Sequence, residues 1–383
     1  MMRLTRTTLI SAVVFVVALL PRLFPAQPAG VLPEQLGNAE FWNLSASLSE
    51  PDGYFHSDNF VSNERSFQHV LADLRTNVQR GSAYIGVGPE QNFTYLLAVK
   101  PQIAFVVDIR RQNMIEHLMY KALFELSADR ADFLSRLFSR ARPSNLDANC
   151  SVDVLFDAFR NVPVDVELSR ANFKAIKTRL ITDHGFPLNE EDTDDLERVF
   201  FAFSTGAGNL TYDGPVRSAG VLTSTGIMPT FEELMRETDK EGNHQSFLAT
   251  EENFRAIQTL QKKNLVVPVV GNFAGSHALR AVGQYLREHD ATVAAFYTSN
   301  VEQYLFMQNM WQEFYANVNA LPINEKSVFI RGLIRSSFGQ LSSSPALPPS
   351  SHYETGLFPI TELVASFKNG LVHNYYDILG DRR

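Results

Sequence analysis

A single cysteine, Cys150, in 383 residues excludes an intrachain disulfide and any zinc site built on cysteine sulfur. A surplus of positive charge is missing as well: 34 Lys and Arg stand against 42 Asp and Glu, a net charge of −8. A broad nucleic-acid footprint needs clustered cations to neutralise phosphates, so no nucleic-acid partner is expected. Internal repeats are also missing. The apolar run LISAVVFVVALL at 9–20 rises only about 18 Å as a helix, against a hydrocarbon core of roughly 30 Å.

What is present is an ordinary globular composition, 45% hydrophobic and 20% charged, which supports a folded core rather than disorder. The first thirty residues stand apart. Arg3 and Arg6 precede the apolar run, and the proline-rich PRLFPAQPAG follows it. Residues 1–30 read as a signal peptide or a short N-terminal membrane anchor. The chain is then exported or membrane-anchored, with membrane association through residues 9–20; the two arginines favour a cytoplasmic N-terminus.

Residues 31–383 read as one α/β domain with an insertion at about 140–260. Phe60, Phe67, Val70, Leu71 and Leu74 recur at helical spacing across 57–78. A short apolar strand at 82–88 leads into a helix at 91–100 that Pro101 stops. The strand QIAFVVDI at 102–109 is apolar on both faces, and the helix at 110–127 carries an apolar stripe. Strand and helix alternate again from 264 to 318, where 301–318 reads as one helix. Alternation with short connections predicts a mostly parallel sheet with helices on both faces.

The insertion contains NEEDTDDLER (189–198) and STGAGN (204–209). The acidic run lacks the spacing of a calcium loop, and the glycines lack the lysine of a phosphate loop, so both read as solvated or structural segments and no metal site is expected. Ser299 with Glu302, and Thr230 with Glu233, fit helix capping boxes. N-x-S/T sequons occur at Asn43, Asn92, Asn149 and Asn209; Asn92 lies in the turn described next, where a glycan would not fit.

The stretch AYIGVGPEQNFTY, 83–95, is a glycine-bearing strand-to-helix turn. Such a turn lets backbone approach a ligand, and amides at the helix start favour a negative group. Gly86 and Gly88 fill two positions of G-x-G-x-x-G; the third holds Gln91, which weakens a dinucleotide reading because close strand-helix packing needs glycine there. Asp108 closes the next strand about twenty residues on, where an acid grips ribose hydroxyls in such folds. A turn acid would sit there for backbone reasons alone. Asn59, Ser62, Asn63, Glu64, Ser299, Asn300 and Gln303 are polar residues that the strand order could bring over the same cleft, and helix caps explain several of them without a ligand.

The phrases YIGVGPEQNFTYLLAV, AFVVDIRRQNMIEHLMYKALFELSADRADFLSRLFSR, VVPVVGNFAG and FYTSNVEQYLF resemble those of a poorly characterised bacterial family, typified by a Leptospira protein, whose members resemble class I S-adenosylmethionine-dependent methyltransferases. The resemblance spans roughly residues 50–340. It implies a Rossmann-like, methyltransferase-type α/β fold and S-adenosylmethionine as cofactor. It further implies that Gly86, Gly88 and Pro89 form the turn against the methionine part, Glu90 binds its amino group, Asp108 holds the ribose, and Asn272 and Phe273 face the methyl. Tyr84 and Glu90 stand where that motif usually has an acid and a glycine.

Methyl transfer is an in-line displacement in which positioning dominates, with a base only if the acceptor must lose a proton. His277, Glu302 and Tyr304 are candidates for that assistance, though a helix start and core packing account equally for His277 and Tyr304. Two functions of different class follow: a methyltransferase-like enzyme on an unidentified acceptor, or a non-catalytic envelope protein holding a nucleoside or metabolite. A dinucleotide oxidoreductase ranks third because of Gln91.

Overall fold

The computed structural model describes residues 30–77, 79–144, 146–215, 228–334 and 353–379. The leader at 1–29 and the serine- and proline-rich stretch at 335–352 lie outside them. Among the described residues no helix is long and apolar enough to cross a membrane.

Six strands form the main sheet: β1 (Ala83–Gly86), β2 (Ile103–Asp108), β5 (Val266–Val270), β6 (Val293–Ser299), β7 (Val328–Ile334) and β8 (Tyr353–Pro359). A separate two-stranded ribbon pairs β3 (Leu210–Thr211) with β4 (Gly214–Pro215). The main sheet runs β5-β2-β1-β6-β7-β8 and is parallel except for the β7–β8 pair. Strands β2 and β5 thus build outward on one side of β1 and β6, β7 and β8 on the other, the doubly wound Rossmann-like order. Strands β1, β2 and β5 are buried along their whole length, which accounts for sequences that are apolar throughout apart from Asp108 at the end of β2.

The helices are α1 (Asn38–Leu48), α2 (Leu71–Asn77), α3 (Gln91–Val99), α4 (Arg111–Leu126), α5 (Arg130–Phe138), α6 (Val152–Arg160), α7 (Val166–Lys177), α8 (Glu190–Gly206), α9 (Phe231–Arg236), α10 (Glu251–Lys262), α11 (Ala278–Glu288), α12 (Val301–Met307), α13 (Trp311–Asn319) and α14 (Ile360–Lys368). One layer packs α2, α3, α4 and α10 together; the other joins α1, α11, α13 and α14. The segment at about 140–260 predicted as an insertion holds α6 to α9, the β3–β4 ribbon and α10, and α4 is clasped between α5, α7 and α8 on one side and the sheet on the other. Residues 112–124 of α4 are therefore buried all round, including Glu116, His117 and Lys121, where the sequence shows only one apolar stripe.

Several local expectations change. The helical spacing over 57–78 becomes regular structure only from Phe67, because Asn59 and Ser66 take left-handed backbone, φ 55° and 64°. The long helix at 301–318 is two helices, broken where Asn309 has φ 56°. The Thr230–Glu233 capping box forms, but the one at Ser299 does not. Ser299 sits at φ 52° and its hydroxyl donates to the Glu64 carboxylate. Glu302 turns into the core to meet Arg331 of β7, Nε donating at 2.6 Å and Nη2 at 3.0 Å. A buried cation on a neighbouring strand outcompetes a local backbone amide.

Candidate functional site

The turn after β1 owes its shape to Asn92, the second residue of α3. Its amide nitrogen donates to the carbonyls of Val87, Gly88 and Pro89 at 2.9, 3.1 and 2.7 Å, and its amide oxygen accepts from the Tyr84 hydroxyl at 2.9 Å. A Cβ on Gly86 would collide with that amide oxygen and with the Tyr84 ring, so glycine is needed for Asn92 to pass. His117 of α4 adds a bond from Nε2 to the Gly88 carbonyl at 2.8 Å. Burial lowers the His117 pKa to about 4, so its ring is neutral at pH 7 and Nε2 carries the proton. Asn92 is fully buried and bonded, leaving no amide for a glycan.

Gly88, at φ +72°, faces open space: the nearest atom to an added Cβ is the Asn59 amide nitrogen at 3.6 Å. That space is a cleft enclosing about 120 Å³ along the carboxyl ends of β1, β2, β5 and β6. It lies where strand order reverses, the usual ligand position in an open α/β sheet. Gly88, Pro89, Asp108, Asn272 and Phe273 all contribute to its wall, as do Asn59, Ser62, Asn63, Ser299, Asn300 and Tyr304. The topology thus gathers residues more than two hundred positions apart.

Two of the expected cofactor residues stand elsewhere. Gly86 is sealed behind the turn by Asn92, as described. Glu90 is fully buried on the far side of the turn, where its two oxygens accept the Ser62 backbone N–H at 3.3 and 3.2 Å. Glu64 backs Ser299 rather than reaching the cleft, bonded also by Gln91 Nε2 at 3.3 Å. Of the three candidates for proton handling, only Tyr304 reaches the cleft. His277 bonds the Ser47 carbonyl at 2.8 Å at an exposed helix start, and Glu302 is consumed by Arg331 and by the Tyr315 hydroxyl at 2.7 Å. Gln303 lies outside the wall, where Gln308 stands instead.

Asp108 carries a partner that its sequence position did not announce. Arg110, two residues on, donates to it from Nε at 3.1 Å, from Nη2 at 3.3 Å and from its backbone N–H at 2.9 Å. Nη1 of the same guanidinium donates to the carbonyls of Ser57 and Asp58 at 3.1 and 2.5 Å. This cation ties a strap at 53–58 across the cleft, and the Gly53 N–H to the Ile109 carbonyl, 2.9 Å, fastens its other end. Sequence reasoning missed Tyr54 and Phe55 on the strap and Tyr212 at the tip of the β3–β4 ribbon, all in the wall. Aromatics in irregular segments show no periodicity that could have flagged them.

Behind the turn, Glu90 and Glu116 are both fully buried. Burial raises the Glu90 pKa to about 7 and that of Glu116 well above the carboxylate range, the Glu90 carboxylate adding to the cost at Glu116. An acid whose folded pKa is raised contributes stability that is complete below the ordinary carboxylate range and is lost as pH rises through the folded value. Between about pH 4.5 and about 7, Glu90→Gln is expected to flatten the decline by roughly 3 kcal/mol. Urea unfolding of both proteins across that window checks it; parallel curves would refute it.

No curated protein matches the chain. Residues 59–148 and 190–361 match a family model described as Domain of unknown function (DUF7790). The matched stretches carry the turn, Asp108, Asn272, the end of β6 and all six strands of the main sheet. They make up well over half of the sequence, and the chain belongs to the DUF7790 family.

Proposed function

We propose that the cleft binds S-adenosylmethionine and that the chain is a methyltransferase-like protein acting on a small-molecule acceptor. The observation that carries this reading is the position of the cleft, at the reversal of strand order with Gly88 and Asp108 in one wall. The residues fit such a group in part. Gly88 leaves room for close approach of a ligand, and aromatic rings suit an adenine face or a sulfonium charge. The enclosed volume, about 120 Å³, is below the roughly 300 Å³ of the smaller drug-sized pockets, so entry requires the strap at 53–58 to lift.

Bound S-adenosylmethionine supplies an activated methyl group; the chain supplies position and exclusion of water. No histidine, lysine, glutamate or cysteine lines the cleft among the described residues. Asp108 is held by Arg110, and burial raises the Tyr304 pKa. An acceptor atom would therefore need a free lone pair from the outset. An export signal at 9–20 would carry the domain away from the cytoplasmic supply of this cofactor, so this reading goes with a short anchor that leaves the domain inside.

The full occupation of Asp108 by Arg110 favours a second reading, a non-catalytic protein that holds a nucleoside or metabolite. Calorimetric titration of the full chain with S-adenosylmethionine and S-adenosylhomocysteine tests the first: saturable heat with both is expected. No heat with either at millimolar concentration, on folded protein, would remove it. Binding of adenosine alone, with no preference for the methionine-bearing ligands, would leave the second reading in possession.

A further inference from the structure

A further part of the cleft wall has its own chemistry. Three elements far apart in sequence build it: Tyr54 and Phe55 from the strap, Tyr212 from the ribbon tip, and Tyr304 from α12. Phe55 meets Tyr304 edge to face, with centroids 5.3 Å apart and planes at 83°. The ribbon is fastened beside the strap by the Phe60 N–H to the Tyr212 carbonyl at 3.1 Å. Aromatic side chains presented on a strap, a ribbon and a helix together make a slot bordered by ring faces and edges.

Charge narrows what the slot can take. Among the described residues the only carboxylate and the only cation in the cleft wall are Asp108 and Arg110, and they neutralise each other at 3.1 Å. The remaining guanidinium nitrogen is directed to the Ser57 and Asp58 carbonyls. Among the described residues of the wall, no cation is left to receive a phosphate, sulfonate or carboxylate. At the rim, the amides of Asn59, Asn63 and Gln308 can donate or accept hydrogen bonds to an uncharged polar atom. Size sets the remaining limit: an apolar cavity of about 150 Å³ holds benzene, so the whole cleft, about 120 Å³, takes a single ring as it stands, with a second ring projecting towards the mouth at Tyr54, and holding ring and cofactor together requires the strap at 53–58 to lift.

We propose that this aromatic wall is a second subsite, which binds a planar, uncharged heteroaromatic molecule through ring contacts with Phe55, Tyr212 and Tyr304. A ring nitrogen offers a lone pair without first losing a proton, which suits a cleft with no free side chain to take one. Naming it the acceptor subsite rests on the methyltransferase reading; the binding of the ring does not.

The test titrates the full chain with quinoline, at a mildly alkaline pH where quinoline is uncharged, and with quinoline-8-sulfonate as an anion of similar shape. Saturable binding of quinoline is expected, with the sulfonate at least about tenfold weaker. Tyr304→Leu should weaken quinoline about tenfold, and Tyr304→Phe should restore it to within about twofold, because the ring and not the hydroxyl makes the contact. Tyr212→Leu provides an independent variant should Tyr304→Leu fail to fold by circular dichroism. No quinoline binding, equal binding of the sulfonate, or unchanged affinity in both leucine variants would overturn the proposal. S-adenosylhomocysteine is titrated in parallel: if it binds and quinoline does not, the subsite fails and the cofactor reading stands; the converse sinks the cofactor reading alone.

Discussion

Glu302→Ala is expected to destabilise the protein by about 3–5 kcal/mol, the cost of leaving a buried cation without its partner. Arg331 and Glu302 are 2% and 3% exposed. Their bidentate contact is supplemented by the Tyr315 hydroxyl on the carboxylate and by the Ile378 carbonyl on Nη1. The guanidinium also lies over Phe329 and Phe358, at 4.6 and 4.9 Å from their ring centroids. Removing the carboxylate strands this charge between β7, β8 and α12, so the loss should appear as a lowered urea midpoint. The double variant Glu302→Leu with Arg331→Met should recover most of it, because two apolar side chains of similar volume avoid the desolvation of both ions. A single variant within about 1 kcal/mol of wild type would show that water reaches the pair.

Asp108→Ala is expected to have the largest effect on the cleft, and it acts twice. It leaves the Arg110 guanidinium, 6% exposed, with carbonyl partners only, which should cost about 3 kcal/mol or more of stability. If Asp108 also accepts ribose hydroxyls, the variant loses charge-assisted hydrogen bonds each worth about 1.5–3 kcal/mol, and affinity for S-adenosylhomocysteine should fall by about tenfold or more. The two effects separate in the double variant Asp108→Ala with Arg110→Met. Stability should return because no buried charge is left, while affinity should not. Recovery of affinity together with stability would reduce Asp108 to a structural partner of Arg110 that touches no ligand.

Much of the sheet was legible from local chemistry. The unbroken apolar runs at 103–107 and 266–270 mark strands buried on both faces, and the glycine turn with its following helix forms where the spacing predicts it. The edge was not legible. VFIRGLI at 328–334 interrupts an apolar run with Arg331, which reads as a break until Glu302 is seen opposite it. Its partner β8 ends in Pro359, a residue that suits a sheet edge and weakens any strand assignment made without knowing where the edge is. The capping pattern at Ser299 misled for the same reason: a sequence displays the local partner of a carboxylate but not the distant one.

The candidate site divides in the same way. Gly88 and Asp108 could be named because strand ends followed by turns are recognisable locally, and strand ends are where an α/β sheet holds its ligands; Pro89, Asn272 and Phe273 could be named only through what the family resemblance implies. Tyr54, Phe55 and Tyr212 could not, since no period or motif links an N-terminal strap to a hairpin tip about 150 residues away. The sequence by itself determined the acidic balance, a sum over the whole chain, and the alternation of strand and helix and the glycine turn, which depend on neighbours within a few residues. Tertiary structure alone decided that Arg110 neutralises Asp108, that Glu90 is shut behind the turn, and that three aromatic elements converge on one slot. Those outcomes turn on burial and on which charges meet across the fold, and both are properties of the packed chain.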